Sequence, residues 1–136
     1  MVIVLIALFS DKKTNESHSN QSKKESLKPV ERIDIMANDL YEIYRSNELA
    51  GDNKFKGKIV TVKGTITAIG KDIIDQPYVS LQGDSIGMFG VQCFIKSSEV
   101  NRAMNLEKGQ YMFLKGKVKG LMGSVILEDC LIAPAN

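Results

Sequence analysis

Two acid pairs are the first candidates for chemistry in this chain. Asp72 with Asp75, and Glu128 with Asp129, are close enough in sequence to share the work of an acid and a base. General acid–base catalysis needs partners that tune the carboxyls and a cleft that holds a substrate, and the sequence suggests neither. Both pairs fall at expected loops or strand ends, where carboxylates are solvated. The single histidine, His18, lies in a polar tail, and no group of His, Cys, Asp or Glu has metal-ligand spacing. No nucleophile stands with a plausible base. The residues thus argue against an enzyme and ask for no metal or cofactor.

Binding chemistry is better represented. Tyr78, Ser80, Gln82, Gln92 and Phe94 alternate with apolar residues in two neighbouring segments, so all five face one side of a sheet. Lys63, Lys115, Lys117 and Lys119 form a basic stripe with the same period. Each set has two readings. Tyr78 and Phe94 can stack on a ligand, or they can pack as a cross-strand pair beneath the N-terminal helix. The lysines can track a phosphate backbone, or they can guard a strand edge against aggregation.

The 136 residues suffice for one domain with its own core. The net charge of +2 is unevenly divided. Residues 11 to 30 hold five lysines against three acids, whereas from Glu31 onward 13 basic residues face 13 acidic ones. A neutral globular part counts against strong non-specific affinity for nucleic acid. Residues 1–10 begin with an apolar run, Met1 to Phe9, too short to span a bilayer as a helix. They are read as an export-signal-like or anchor segment, although no Lys or Arg precedes the run and neither a small-x-small site nor a cysteine follows it. Residues 11–29 are a polar linker expected to be disordered, and residues 30–136 form the domain. This arrangement predicts an exported protein, membrane-anchored or periplasmic or extracellular, with a cytoplasmic location left open.

Within the domain, Ile33, Met36, Ala37, Leu40 and Tyr44 recur at helical spacing, which predicts an amphipathic helix over 30–45. A further single turn is expected over 46–53, stopped by Gly51. Strands follow over 58–69, with Val60, Val62, Gly64, Ile66 and Ala68 inward, then over 77–82 and 89–96. A short helix over 99–105, capped by Ser97 or Ser98, leads to a strand with Met112, Leu114, Gly116 and Val118 inward, a loop over 120–123, and a last strand over 124–132. Lysine-glycine pairs interrupt the first and fourth strands, so Gly64 and Gly116 read as points where the sheet coils. Cys93 and Cys130 fall on the third and fifth strands and are read as a disulfide or as two buried thiols. Three strands, a helix and two strands is the order of a five-stranded Greek-key barrel, the OB-fold, here mainly β with an N-terminal amphipathic helix and a short helix between strands 3 and 4.

Several local marks carry a resemblance to a family: Ala37-Asn38-Asp39-Leu40-Tyr41 with Tyr44, Asn47 and Glu48; Phe55-Lys56-Gly57-Lys58 with Val62 and Gly64; Pro77-Tyr78-Val79 with Leu81; Leu106 with Lys108-Gly109; Lys115-Gly116; and Asp129-Cys130-Leu131-Ile132. Over about Ile33 to Ile132 the chain resembles the tRNA_anti-like family of bacterial OB-fold proteins, often lipoproteins. The resemblance implies a non-enzymatic binding module. OB domains of this kind bind oligonucleotides or oligosaccharides on the outer face of strands 2 and 3, here Tyr78, Ser80, Gln82, Gln92 and Phe94, with Lys71, Leu121 and Met122 at the rims. The expected partner is a single-stranded nucleic acid or, alternatively, a protein or glycan of the cell envelope reached from a membrane tether at residues 1–9.

Overall fold

The computed structural model describes residues 32–134, so the anchor-like segment and the linker lie outside the described residues. Strands β2 (Ile59–Lys71), β3 (Pro77–Gln82), β4 (Gly90–Ile95), β5 (Tyr111–Met122) and β6 (Ser124–Ala133) close into a barrel in the order β2-β3-β4-β6-β5, with β5 returning to β2. This is the five-stranded OB barrel. The β4–β6 pairing is parallel and the others are antiparallel.

Alternation builds the interior. Val60, Val62, Ile66, Val79, Leu81, Val91, Cys93, Ile95, Met112, Leu114, Val118, Val125, Leu127 and Cys130 are buried in one cluster. A bulge between Ile66 and Ala68 changes the expected facing of β2, because Ala68 pairs with Ser80 and so shares the outer face. β5 also runs through to Met122, which leaves a turn at Gly123 where a longer loop was expected.

The N-terminal helix is shorter than its spacing predicts. Residues 33–36 form a strand, β1 (Ile33–Met36), parallel to Val60–Lys63 of β2, and helix α1 (Ala37–Ser46) begins only at Ala37. Ile-Asp-Ile-Met also alternates, with Ile33 and Ile35 half-buried and Asp34 and Met36 exposed, and the branched isoleucines favour the pleated form. Helix α1 buries Ala37, Leu40, Tyr41 and Tyr44 into the barrel core.

Helix α2 (Glu48–Phe55) is capped by Asn47, whose side chain accepts from the Ala50 N–H at 3.1 Å. Gly51 does not stop it. It lies buried inside the helix, where a Cβ would come within 2.7 Å of the Tyr44 ring, and the stop falls at Gly57 with φ 84°. Between β4 and β5, a 3-10 turn (Ser97–Glu99) and a single helical turn α3 (Val100–Ala103) replace the expected longer helix, without a serine cap. Glu99 fixes this plug instead, accepting from the Ile132 N–H at 2.9 Å and from Arg102 at 3.0 Å. Among the described residues no helix is long and apolar enough to cross a membrane.

Candidate functional site

The face expected to bind is assembled as the alternation requires. In register, Tyr78 stands opposite Phe94, Ser80 opposite Gln92, and Gln82 opposite Gly90. All five side chains are half-buried. The rings of Tyr78 and Phe94 meet edge to face with centroids 6.2 Å apart. On the other side of β3, Gly70 stands opposite Tyr78, and the phenol lies across it, its hydroxyl 3.4 Å from where a Cβ would be. The pair is therefore packed cross-strand, but not under helix α1, whose apolar stripe goes into the barrel interior. Gln82 donates through Nε2 to the Asp84 carbonyl at 3.1 Å. At the rim, Lys71 stands 3.9 Å from the Asp75 carboxylate, so this face carries little free positive charge.

The basic stripe is also brought together, since β5 lies beside β2: Lys63 stands opposite Phe113, Thr61 opposite Lys115, and Ile59 opposite Lys117. The four lysines differ. Lys119 is 3.7 Å from Glu128. The Lys63 ammonium sits over the Phe113 ring, 5.6 Å from its centre. Among the described residues, Lys63, Lys115 and Lys117 have no carboxylate within 4.0 Å.

Sequence reasoning passed over two aromatic residues in this row. Tyr111 and Phe113 share the outward period of Lys115, Lys117 and Lys119, a signal present in the alternation itself. Their rings meet edge to face at 6.1 Å. Tyr111 is 53% exposed, yet its hydroxyl donates to Met36 Sδ at 3.5 Å, so β1 holds a ring that solvent still reaches. Beside it opens a groove of about 440 Å³, lined among others by Lys63, Tyr111, Met36, Asn38, Gln82 and Asp84.

The acid pairs each take part in local structure. Asp72 closes its loop by accepting from the Ile74 and Gln76 N–H groups at 3.0 and 2.8 Å, and Asp75 turns the chain at φ 68°. Glu128 serves Lys119, and Asp129 takes φ 53° at the bulge where β5 and β6 change register. Cys93 and Cys130 are buried free thiols on adjacent strands. Burial, with a hydrogen bond to Cys130, pushes the Cys93 thiol well above its ordinary range.

Similar folds are known. A structure from Klebsiella pneumoniae subsp. pneumoniae, of a protein proposed to be a nucleic acid-binding lipoprotein, matches at a TM-score of 0.57 and 15% identity, over 82% of this chain and 98% of that one. An OBody, AM3L09, bound to hen egg-white lysozyme matches at 0.44 and 17% identity, over 61% of this chain and 88% of that one. At these identities the likeness is one of fold. No curated protein matches the sequence. The tRNA_anti-like family profile, however, matches residues 1–131. With that match over almost its whole length and a closed OB barrel as its structure, the chain belongs to the tRNA_anti-like family.

Proposed function

We propose that the chain is a non-enzymatic module that binds single-stranded nucleic acid, carried as residues 30–136 behind a linker and an export-signal-like or anchoring segment. The observation that carries this reading is the outward group of Lys63, Lys115 and Lys117, free of carboxylates within 4.0 Å among the described residues. Charges without a carboxylate partner among the described residues, in a domain that is neutral from Glu31 onward, make a local rather than a global attraction. The Klebsiella protein of like fold, proposed to be a nucleic acid-binding lipoprotein, supports both the ligand class and a place in the cell envelope.

Fluorescence anisotropy with a labelled oligothymidylate tests the reading. Three phosphate contacts at about 0.7 each give a log–log salt slope of about −2, a loss of roughly 20-fold between about 50 and 200 mM salt. Lys115→Gln with Lys117→Gln lowers affinity and flattens that slope. A flat titration at low salt would overturn the proposal.

A second reading, an exported and membrane-tethered domain that binds a protein or glycan of the envelope, is favoured by a different observation. Ile73, Ile74, Ile86, Met88 and Met122 stand exposed in loops and at a strand end, where a partner would cover them. Capture of an envelope component that survives high salt, together with flat nucleic-acid titrations, is the result that puts this reading first.

A further inference from the structure

Lys63, Lys115 and Lys117, without a carboxylate partner among the described residues, do not stand alone, and their neighbours say where a strand would run. Outward side chains on β5 follow in the order Tyr111, Phe113, Lys115, Lys117, Lys119, each step advancing about 6.8 Å along the strand. Lys63 of β2 flanks the second position. Single-strand sites combine a basic track with aromatic platforms, because every base has a face that can stack whatever its sequence. The row from Tyr111 to Lys117 has that composition; the outer face of β3 and β4 does not. There Tyr78 and Phe94 are both half-buried, whereas Tyr111 is exposed, and the nearby Lys71 has a carboxylate partner.

Preorganisation points the same way. Phe113 braces Tyr111 edge-on and carries Lys63 over its own ring, while Met36 receives the Tyr111 hydroxyl. A ring already fixed loses little freedom when a base stacks on it. On the β6 side Glu128 stands opposite Lys117 with its carboxylate 3.7 Å from Lys119, and Asp129 follows at the bulge; across β2 the acid in line with Lys115 is Asp34, opposite Thr61 on β1. Two strand spacings of about 4.8 Å put it about 10 Å away, near the screening length at ordinary salt.

Tyr111 and Lys63 also line the groove, with Asn38, Gln82 and Asp84 across from them. Asp84 accepts there from the N–H groups of Met88 and Phe89 at 2.9 and 3.1 Å. A carboxylate in that position repels phosphate but accepts from the amino or imino groups of a base edge.

We propose that a single strand lies along β5, its phosphates on Lys117, Lys115 and Lys63 and one base stacked on Tyr111, with the next base turned into the groove beside Gln82 and Asp84. This assignment rests on the nucleic-acid reading above and moves the site from the usual face on β3 and β4 to β5, with only Gln82 common to both. Tyr111 is the stacking platform, and Phe113 positions it. The track is short, about four nucleotides, the low end for an OB domain.

The test uses the full chain with an oligothymidylate and with a duplex of equal length, read by anisotropy and by quenching of tyrosine fluorescence, which the absence of tryptophan leaves unobscured. Tyr111→Leu keeps apolar bulk but removes the stacking face, so single-strand affinity falls about 5- to 140-fold while duplex affinity stays put. Tyr111→Phe restores binding. Both variants change an exposed side chain, so the fold survives, and matching melting curves verify it. If Tyr111→Leu binds the single strand as the parent does while Tyr78→Leu loses it, the site lies on β3 and β4. That result overturns the assignment and leaves the nucleic-acid reading standing. Absence of binding by the parent chain ends both.

Discussion

Gly116 shows how much one missing side chain decides. A Cβ there would come within 2.5 Å of Cys130 Sγ and 3.1 Å of the Glu128 carbonyl, in a buried part of β5. The position lies between Lys115 and Lys117, where the β5–β6 register shifts and Asp129 takes its positive φ. Alanine at 116 therefore has to push apart two strands that are packed to interior density. Overpacking of this kind costs about 1–3 kcal/mol, and urea unfolding of Gly116→Ala is expected to show a loss in that range. Cys130→Ala removes the nearer obstacle, so the double variant should lose less than the sum of the singles. Strict additivity would mean that Cys130 is not what Gly116 accommodates. The lysine-glycine pair was legible in the sequence as a point of coil; the sulfur it makes room for was not, because the bulge that aligns residue 130 with residue 116 belongs to the folded pairing.

At the scale of elements, the inward residues of β3, β4 and β5 could be read from period-two alternation, and the contact between β2 and β5 from the element order of the barrel. Legibility failed where one pattern fitted two periods. Ile33 and Met36 sit at helical spacing from Ala37 and Leu40, yet Ile33 to Met36 also alternates, and only pairing with β2 decides for the strand. That short strand matters to the candidate site, because it brings Met36 to the Tyr111 hydroxyl. Ala68 failed for another reason, a bulge that no local signal announces. Tyr111 and Phe113 were legible in the alternation, but aromatic residues beside inward apolar ones read first as packing. Gly51 reads as a helix stop, since glycine often ends helices, whereas in the fold its missing side chain lets α1 and α2 touch. An exposed helical glycine gains up to about 1 kcal/mol on replacement by alanine. Here the sign reverses, because the new methyl meets the buried Tyr44 ring at 2.7 Å. Gly51→Ala is expected to lower the unfolding midpoint in urea; a raised midpoint would show that the two helices separate easily.

Across the whole molecule, closure of the barrel leaves little ionic character inside. Among the described residues no charged one is buried, and the interior holds instead groups that are neutral at ordinary pH, the Tyr44 phenol and the Cys93 thiol among them. Burial raises both, with Asp52 adding to the effect at Tyr44 and Cys130 at Cys93. Unfolding releases them to ordinary values of 10.0 and 9.0. Both are acids whose folded pKa exceeds the unfolded one, so their contribution to stability is complete below about pH 9 and is lost as pH rises beyond it, when the unfolded chain ionises and the fold resists. Each ionised group steepens the decline by up to about 1.4 kcal/mol per pH unit. Chemical denaturation from neutral pH to the alkaline side is expected to show a plateau followed by a fall that starts near the thiol's ordinary value. Cys93→Ala makes the first part of the fall shallower, and Tyr44→Phe flattens the later part while leaving the first in place. A parent chain equally stable throughout, or a fall that neither substitution alters, would mean that these two buried groups do not govern its alkaline limit.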